Sequence, residues 1–367
     1  MKIAFLVVKD FLQRSGGIEK YTREVGRRLV KRGHAITVYS TGDEKSSPAE
    51  WEGIRIKYVP KVHPHWMEKL CGSVLAATRA RCTEEPPDVF HLHSVAAGAM
   101  GRILRASHVP CVLQMHGIEW RRSRWGFAGK LLLKQLEQAA FRNATAVTAV
   151  SEDQCEYYRA QYGMPVSFIP TGTEVRQFHP PLHLNSLHVE AGKYFFTAVR
   201  LVREKGLHYL IPAYLRLSTD WQLLIAGDAG GDRDYVNYLH ELAQGSEQIR
   251  FLGHVASPLL DEYYSNAGAY VQASELEGMS IALLEAMSYG QGCIASDIPE
   301  NRAVLADTGI FFRNKNVDAL ANALQNAVQN PASLKQLGEM ARQRALDQFT
   351  WDQVTLSLEA LYASMQR

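Results

Sequence analysis

Glu277 and Glu285 stand eight positions apart in a largely apolar stretch, SELEGMSIALLEAMSYG, at residues 274–290. Carboxylates such as those of Glu277 and Glu285 are rarely buried unless another group pairs with them. An ionised carboxylate accepts two hydrogen bonds at once, which suits the vicinal diols of a ribose or a hexose. Eight positions on an ideal helix correspond to about 80° of rotation and about 12 Å of rise. The two carboxylates can therefore hold different parts of one extended ligand.

The helix of this stretch is predicted to begin at Gly278, with Glu277 just before it. Its first backbone N–H groups have no partner within the helix and are available to bind an anion. These N–H groups belong to Met279, Ser280 and Ile281. An alternative stays open, in which Glu277 caps the helix and Glu285 pairs with a cation elsewhere in the chain.

Basic and glycine residues follow other predicted strands. Arg200 ends one strand and Lys205 comes just before the next helix, a pair that suits a diphosphate. Gly16 and Gly17 open a helix after the first strand, and Gly227 follows a later strand, so a ligand can approach the backbone there. A diphosphate between two diols is a nucleotide-diphosphate sugar. The alternative is that the two basic residues are solvated.

Histidines also follow strands in the first half of the chain. His93 and His116 are predicted to act as hydrogen-bonding groups that face a ligand. No third ligand at a recognisable spacing accompanies them, and the five scattered cysteines contain no C-x-x-C pair, so no metal or cofactor is expected. That cysteine pattern is typical of a reducing cytoplasm.

The elements that position these residues alternate in type along the chain. Short apolar strands are predicted at 2–8, 35–40, 54–59, 88–93, 110–116, 145–151 and 166–170, and again at 194–200, 221–228, 249–254, 269–274 and 292–297. Helical patterns separate most of them, which indicates parallel sheets covered by helices on both faces. The fold class is therefore α/β, with doubly wound, Rossmann-like domains.

Two such domains are predicted, at 1–180 and 190–349. The stretch 170–192 is rich in Pro and His without clear periodicity and is interpreted as the linker. In open parallel sheets, ligands bind outside the carboxyl ends of the strands. We expect the two domains to face each other across a cleft.

The charges are distributed unevenly between the halves. Residues 1–180 carry 26 Lys and Arg against 17 Asp and Glu, whereas residues 181–367 carry 14 against 21. The helix at 18–32 is especially basic, which suggests peripheral docking on the inner face of the cell membrane, although a solvated basic helix explains it as well. No run of about 18 apolar residues predicts a spanning helix, the N-terminus is typical of a first strand, and no nucleic-acid module is recognised.

The combination of motifs resembles the family 4 glycosyltransferases, which have the GT-B architecture. The resemblance spans nearly the whole chain, and its most specific elements are VRLVREKG (199–206) and the E-x7-E signature that ends in Glu285. The other motifs are Gly16-Gly17, Gly33-His34, DVFHLHS (88–94), QMHG (114–117), AVSE (149–152), IPTG (169–172), IAGDAGG (225–231) and FLGHV (251–255).

The resemblance implies a role for each matching position. Arg200 and Lys205 would bind the diphosphate, Glu277 the donor sugar and Glu285 the ribose, while His116 would approach the reacting carbon. Val255 would meet the base through its backbone, Gly16 would lie near the phosphate, and the final helix, 350–367, would complete the first domain. The stretch after His116 is similar to part of some polysaccharide-assembly transferases and suggests acceptor-binding residues. These are His93, Glu119, Trp120, Arg121 and Arg122.

The implied activity is retaining, metal-independent transfer of a hexose. UDP-glucose is the first expectation for the donor, with a saccharide or lipid-linked saccharide as acceptor in bacterial polysaccharide synthesis. Two alternatives remain open: a GDP-mannose-dependent mannosyltransferase and a non-catalytic partner subunit that keeps the fold.

Overall fold

A computed structural model describes most of the 367 residues. The described ranges are 1–8, 10–12, 16–43, 47–61, 65–83, 85–95, 100–122, 125–229 and 231–366, with the backbone alone for 7, 8 and 65–70. The chain forms two compact units. Unit 1 comprises Met1–Gly172 and Trp351–Arg367, and unit 2 comprises Thr173–Thr350.

The strands build one sheet in each unit. Those of unit 1 are β1 (Lys2–Val8), β2 (Ala35–Thr41), β3 (Glu50–Trp51), β4 (Ile54–Val59), β5 (Val89–His93), β6 (Cys111–Met115), β7 (Ala146–Ala149) and β8 (Val166–Phe168). Those of unit 2 are β9 (Tyr194–Ala198), β10 (Gln222–Ala226), β11 (Ile249–Gly253), β12 (Ala269–Gln272), β13 (Cys293–Ser296) and β14 (Gly309–Phe312).

The helices of the described residues connect these strands. They are α1 (Gly17–Lys31), α2 (His65–Arg81), α3 (Gly101–Arg105), α4 (Phe127–Asn143), α5 (Glu152–Tyr162), α6 (Leu182–Ser186), α7 (Leu207–Tyr214), α8 (Arg233–Ala243), α9 (Leu259–Asn266), α10 (Ile281–Ser288), α11 (Pro299–Leu305), α12 (Val317–Gln329), α13 (Pro331–Gln348) and α14 (Trp351–Ser364). Short 3-10 turns cover Glu119–Arg121 and Arg203–Lys205.

The sheet of unit 1 has the strand order β3-β4-β2-β1-β5-β6-β7-β8. All its pairs are parallel except β3 with β4. Phe90 and Leu92 of β5 face a core formed with α2, α3, α4 and α5, while His91 faces α14 on the opposite side. Successive residues of β5 thus pack against helices on opposite faces of the sheet, because side chains alternate between the two faces along a strand.

The sheet of unit 2 has the order β11-β10-β9-β12-β13-β14, with every pair parallel. Its central strand β9 is buried from Tyr194 to Thr197, because apolar clusters cover both faces. The prediction of two parallel-sheet α/β domains is confirmed. The strands β3 and β14 were missed because they are short and carry no alternating pattern, and helix α6 lies in the stretch interpreted as an irregular linker.

Candidate functional site

The strand order of each sheet reverses direction at one point. In unit 2 the chain proceeds from β9 outward through β10 to β11, then returns to β12 on the other side of β9. In unit 1 the same reversal lies between β1 and β5. The segments after such strands diverge and leave room for a ligand. In unit 2 most of the residues singled out from the sequence come from these segments, whereas in unit 1 His116 and the residues 119–122 follow β6, the next strand in the sheet.

In unit 2 a salt bridge joins the segments after β9 and β12. The Nζ atom of Lys205 donates to Oε1 of Glu277 at 2.5 Å. Only 18% of the Lys205 side chain and 9% of the Glu277 side chain are exposed to solvent. The tertiary structure thus brings together two of the predicted site residues, which are separated by 72 positions.

A buried glutamine orients the Glu277 carboxylate. The Nε2 atom of Gln272 donates to the same Oε1 at 2.6 Å and also reaches the hydroxyl of Ser274 at 2.8 Å. The hydroxyl of Tyr270 donates to the amide oxygen of Gln272 at 3.0 Å, so the orientation of the amide is defined. Sequence reasoning missed Gln272, although a polar residue ending an apolar strand, AYVQ, was the available signal.

Close backbone packing holds the Lys205 segment against β12. The amide of Glu275 donates to the carbonyl of Glu204 at 2.8 Å. Gly206 has a φ of +69°, and a Cβ atom there would lie 1.9 Å from the carbonyl oxygen of Ala273. Only glycine meets both requirements without strain. The position of the Lys205 side chain therefore depends on the residue that follows it.

Glu275 is a second carboxylate at this site that sequence reasoning did not select. Its Oε1 accepts from the Tyr209 hydroxyl at 3.1 Å and lies 3.4 Å from the His208 Nε2, and its Oε2 accepts from Lys315 at 2.7 Å. Burial lowers the pKa of His208 although Glu275 opposes the effect, and Nδ1 of His208 lies 2.8 Å from the Tyr235 hydroxyl. This network braces the segment that carries Glu277.

Arg200 and Gly227 lie at the ends of β9 and β10. The side chain of Arg200 is exposed. Gly227 has a φ of +144°, and a Cβ atom there would lie 1.8 Å from the carbonyl of Val199, so glycine allows the two segments to approach. The amide of Gly227 donates to the carbonyl of Gly253 at 2.7 Å, which places the segment leading to the half-buried Val255 beside it.

The helix after Glu277 begins later than predicted. Helix α10 starts at Ile281, and the Ser280 hydroxyl caps it by accepting from the amide of Leu283 at 3.3 Å. The expected start at Gly278 is therefore wrong, because a serine N-cap ends the preceding loop. The alternative that Glu277 caps the helix is excluded as well.

Glu285 has a cationic partner within its own unit. Arg176 donates to its Oε1 at 3.1 Å and lies 3.4 Å from Oδ1 of Asp261, which also accepts from the Tyr289 hydroxyl at 2.6 Å. The alternative left open from the sequence, that Glu285 pairs with a cation elsewhere in the chain, agrees with this salt bridge. A ribose contact stays a prediction, since a carboxylate accepts at both oxygens. Arg176, in the stretch interpreted as a linker, was not selected from the sequence.

A chain of hydrogen bonds links α1, β5 and the end of β6 in unit 1. Nδ1 of His93 lies 3.0 Å from Nε2 of His116, and Nε2 of His93 lies 3.1 Å from the Thr22 hydroxyl. That hydroxyl donates to the Ile18 carbonyl at 2.8 Å. His93 and His116 were predicted as a pair of strand-end groups, whereas Thr22 was not selected.

The donor and the acceptor of each hydrogen bond in this chain can be assigned from the chemistry of the groups. The Thr22 hydroxyl has one proton and gives it to Ile18, so it accepts from the Nε2–H of His93. Burial lowers the pKa of His93 well below its usual range, and the ring is neutral. Its Nδ1 is then an acceptor and receives the Nε2–H of His116. The chain therefore holds His116 with a proton on Nε2.

His91 lies on the same face of β5 and contacts the last helix. Its Nδ1 is 2.5 Å from the Tyr362 hydroxyl of α14, and the side chain is fully buried. Burial, together with the charge of His116, lowers the pKa of His91 to about 3. His91 therefore connects the sheet to the last helix.

The predicted acceptor residues after β6 contact one another and α4. Glu119 accepts from Arg122 at 3.0 Å, and Arg121 lies over the ring of Trp120 at 5.6 Å. The ammonium of Lys134 also lies over the ring of Trp120, at 4.3 Å. These side chains form one basic and aromatic surface, while their role toward an acceptor stays a prediction.

The remaining predicted residues lie at the start of α1. Gly16 is its N-cap and Gly17 its first residue. A Cβ atom on Gly16 would collide with the carboxylate of Glu19, which folds over this helix end. Among the described residues, no group of three His, Cys, Asp or Glu side chains is arranged to hold a metal ion.

Both units match known protein families. Residues 15–177 match the family described as Glycosyltransferase Family 4, and residues 183–344 match Glycosyl transferases group 1. Together the two matches cover most of the chain, and each one falls largely within one structural unit.

Relatives and solved structures agree with these matches. The chain is 27% identical to alpha-maltose-1-phosphate synthase of Mycobacterium tuberculosis over 72% of its own length and 75% of that protein. It is 29% identical, over 66% of each chain, to the UDP-Gal:alpha-D-GlcNAc-diphosphoundecaprenol alpha-1,3-galactosyltransferase of Escherichia coli. Sucrose-phosphate synthase from Thermosynechococcus elongatus has the same fold, with a TM-score of 0.86 at 22% identity and 100% and 99% of the two chains covered. The chain belongs to the family 4 glycosyltransferases of the GT-B architecture.

Proposed function

We propose that the protein transfers a hexose from a nucleotide-diphosphate sugar, with retention of configuration and without a metal ion. The acceptor is a saccharide or a lipid-linked saccharide in bacterial polysaccharide synthesis. The observation that carries the proposal is the Lys205–Glu277 salt bridge at the strand reversal of unit 2. The pair sets a cation beside a carboxylate, and this supports a site for the junction of the diphosphate and the hexose in the donor.

The chemistry assigned to these residues is stabilisation of charge. As the glycosidic bond breaks, negative charge grows on the leaving diphosphate, and Arg200, Lys205 and the N-terminus of α10 provide positive charge for it. Glu277 holds the hydroxyls of the sugar while positive charge develops on the ring. Since the salt bridge with Lys205 and the bond from Gln272 already orient this carboxylate, little reorganisation is needed during the reaction.

The units have different tasks in this proposal. Unit 2 binds the donor, with Glu285 on the ribose, Val255 at the base, and Gly227 allowing the close approach of the segments. Unit 1 binds the acceptor through Glu119, Trp120 and the adjacent arginines, and His116 provides a hydrogen-bonding group. The relative from E. coli is named for a UDP-sugar and a diphosphoundecaprenol-linked acceptor, which supports a uridine donor and a lipid-linked saccharide. UDP-glucose and its epimer UDP-galactose are therefore tested first.

Calorimetric binding tests the donor site. UDP, GDP and their hexose conjugates are titrated into the wild type and into Lys205→Met and Glu277→Gln. We expect one nucleotide to be preferred, with affinity at least tenfold lower in Lys205→Met, about the 1.4 kcal/mol of one charge-assisted hydrogen bond. Glu277→Gln should weaken the sugar conjugate more than the free nucleotide.

A matched control separates this effect from a general loss of charge. Lys193 also forms salt bridges in unit 2, with Glu190 and Asp220 at the surface, so Lys193→Met should bind nucleotides like the wild type. A preference for GDP-mannose would replace the uridine donor in the proposal. If no nucleotide bound the wild type, the enzyme assignment would fail and a non-catalytic subunit would be favoured.

Product analysis tests the reaction itself. With a bound donor sugar and a set of saccharide and lipid-linked acceptors, the anomeric configuration of the product is read by nuclear magnetic resonance. Retention in the presence of a metal chelator is the expected result, whereas inversion or a loss of turnover with the chelator would contradict the proposal.

A further inference from the structure

Helix α4 of unit 1 exposes large apolar side chains on its first two turns. The exposed fractions are 88% for Phe127, 52% for Leu131 and 49% for Leu132. Positions 127 and 131 are neighbours on one helix face, and position 132 lies beside them. The opposite face is buried through Leu133 and Ala140, so these exposed residues are not needed for the core. We call Phe127, Leu131 and Leu132 the apolar face of α4.

Cations border the apolar face. Lys130 and Lys134 lie on the flank of the same helix, and Lys134 rests on Trp120 next to Arg121. Helix α3 packs beside α4 and adds the exposed Arg102 and Arg105. Arg105 donates to the carbonyl of Arg142, so the arginines of α3 lie at the C-terminal end of α4, whereas Lys130 and Lys134 lie next to the apolar face itself.

The acidic residues of this region point elsewhere. Glu137 of α4 is buried and accepts from the Tyr162 hydroxyl at 2.7 Å, and Glu119 accepts from Arg122 at 3.0 Å. Within 119–122, 125–143 and α3, the described residues contain no other acid. Helix α4 thus combines exposed apolar side chains with lysines and has no exposed acid of its own. Such a helix face is complementary to an anionic lipid bilayer, since aliphatic and aromatic side chains enter the headgroup boundary while lysines and arginines meet the phosphates.

The basic helix α1 is a poorer docking surface than its composition suggested. Arg28 pairs with Glu24 and with Asp352, and Arg32 pairs with Glu359 of α14. These arginines are neutralised within unit 1 and help to hold the last helix.

We propose that the apolar face of α4, with Lys130, Lys134 and Arg121, docks the protein on an anionic membrane surface. This goes beyond the proposed function, to which it adds a way to reach an acceptor anchored in lipid. Among the described residues no helix is long and apolar enough to cross a bilayer. The docking is thus interfacial, with α4 lying along the membrane and its buried face remaining on the sheet.

Flotation of the full chain tests the surface. The probes are phosphatidylcholine vesicles with and without phosphatidylglycerol, at low and moderate salt. We expect the wild type to float with the anionic vesicles and to be released by salt. The variant Phe127→Ser/Leu131→Ser should lower the bound fraction at least tenfold, and Lys130→Gln/Lys134→Gln should lower it only with anionic vesicles.

A control variant tests whether the loss of any exposed apolar side chain of unit 1 lowers flotation. Leu356 of α14 is 48% exposed in the same unit, so Leu356→Ser should float like the wild type. Absence of flotation by the wild type, or unchanged flotation of Phe127→Ser/Leu131→Ser, would overturn the proposal, and binding to an acidic protein but not to vesicles would do the same. Nucleotide calorimetry on these variants keeps the two proposals apart, because docking can fail while donor binding stays intact.

Discussion

Replacement of Gly206 by alanine tests whether close packing positions the candidate donor site. The residue follows Lys205 and has a left-handed φ of +69°. An alanine Cβ atom would lie 1.9 Å from the carbonyl oxygen of Ala273, although such atoms essentially never approach closer than 3.0 Å. The segments after β9 and β12 would have to separate by about 1 Å.

The expected cost has two parts. A left-handed conformation costs an alanine about 1–2 kcal/mol. The collision is with backbone, which a rotamer change does not relieve, so we expect a total loss of at least about 4 kcal/mol in the free energy of unfolding of unit 2. Gly245 provides a control for the backbone cost without a collision, because its φ is +88° and a Cβ atom there meets nothing within 4 Å. Gly245→Ala should therefore cost about 1–2 kcal/mol.

Two measurements read the outcome. Urea unfolding followed by circular dichroism gives the stability of each variant, and hydrogen exchange of β9 and β12 assigns the loss to unit 2. Nucleotide affinity should fall at least tenfold in Gly206→Ala and stay within twofold of the wild type in Gly245→Ala. If the two variants lost the same free energy within about 0.5 kcal/mol, the packing of Gly206 on Ala273 would not control this site.

Two further predictions concern the histidines of unit 1. Thr22→Val leaves the buried Nε2–H of His93 without its acceptor, which should lower the free energy of unfolding by about 1–3 kcal/mol. Because the tautomer of His116 depends on that of His93, this variant should also shift the pH profile of turnover. Thr22→Ser keeps the hydroxyl and should restore the wild-type profile. A role that is only structural would change stability and leave the profile unmoved. The pKa of His91 is lowered to about 3 in the folded state, so the unfolded state binds more protons between pH 3 and 6.5, and stability should fall as the pH drops through this window. The slope is at most about 1.4 kcal/mol per pH unit, and urea unfolding of His91→Gln should show a smaller slope than the wild type; an equal slope would contradict the assignment.

The fold was predictable because its signals are local. The apolar runs at 194–200 and 221–228 contain strands in the structure, since a buried parallel strand needs apolar side chains on both faces. The residues that follow strands were also identifiable, and Lys205 and Glu277 meet as expected for segments beside a strand reversal.

The start of α10 was placed incorrectly for a local reason. Gly278 was taken as the first helical residue, although Ser280 is a better N-cap. The sequence contained the correct signal, a serine before an apolar helix, and the glycine was given too much weight. A start at Gly278 would have made Glu277 the N-cap, whereas it lies in the preceding loop and contacts Lys205 and Gln272.

The partners of the buried charges were not predictable from the sequence. Glu285 pairs with Arg176, 109 positions away, and Glu275 contacts Lys315. Each pair forms because distant segments lie next to each other once the strand order is set. No short-range pattern encodes that order, since parallel strands are joined through long connections.

The sequence by itself determined the class of fold, the parallel arrangement of the sheets and the residues available at the strand ends, because these follow from periodicity and residue chemistry. Only the tertiary structure decided which charges meet. It directed the arginines of α1 to α14, ordered the protons along Thr22, His93 and His116, and left Phe127 and its neighbours on α4 exposed. Such outcomes depend on the packing of segments far apart in the chain, where burial selects among partners that have the same local sequence preference.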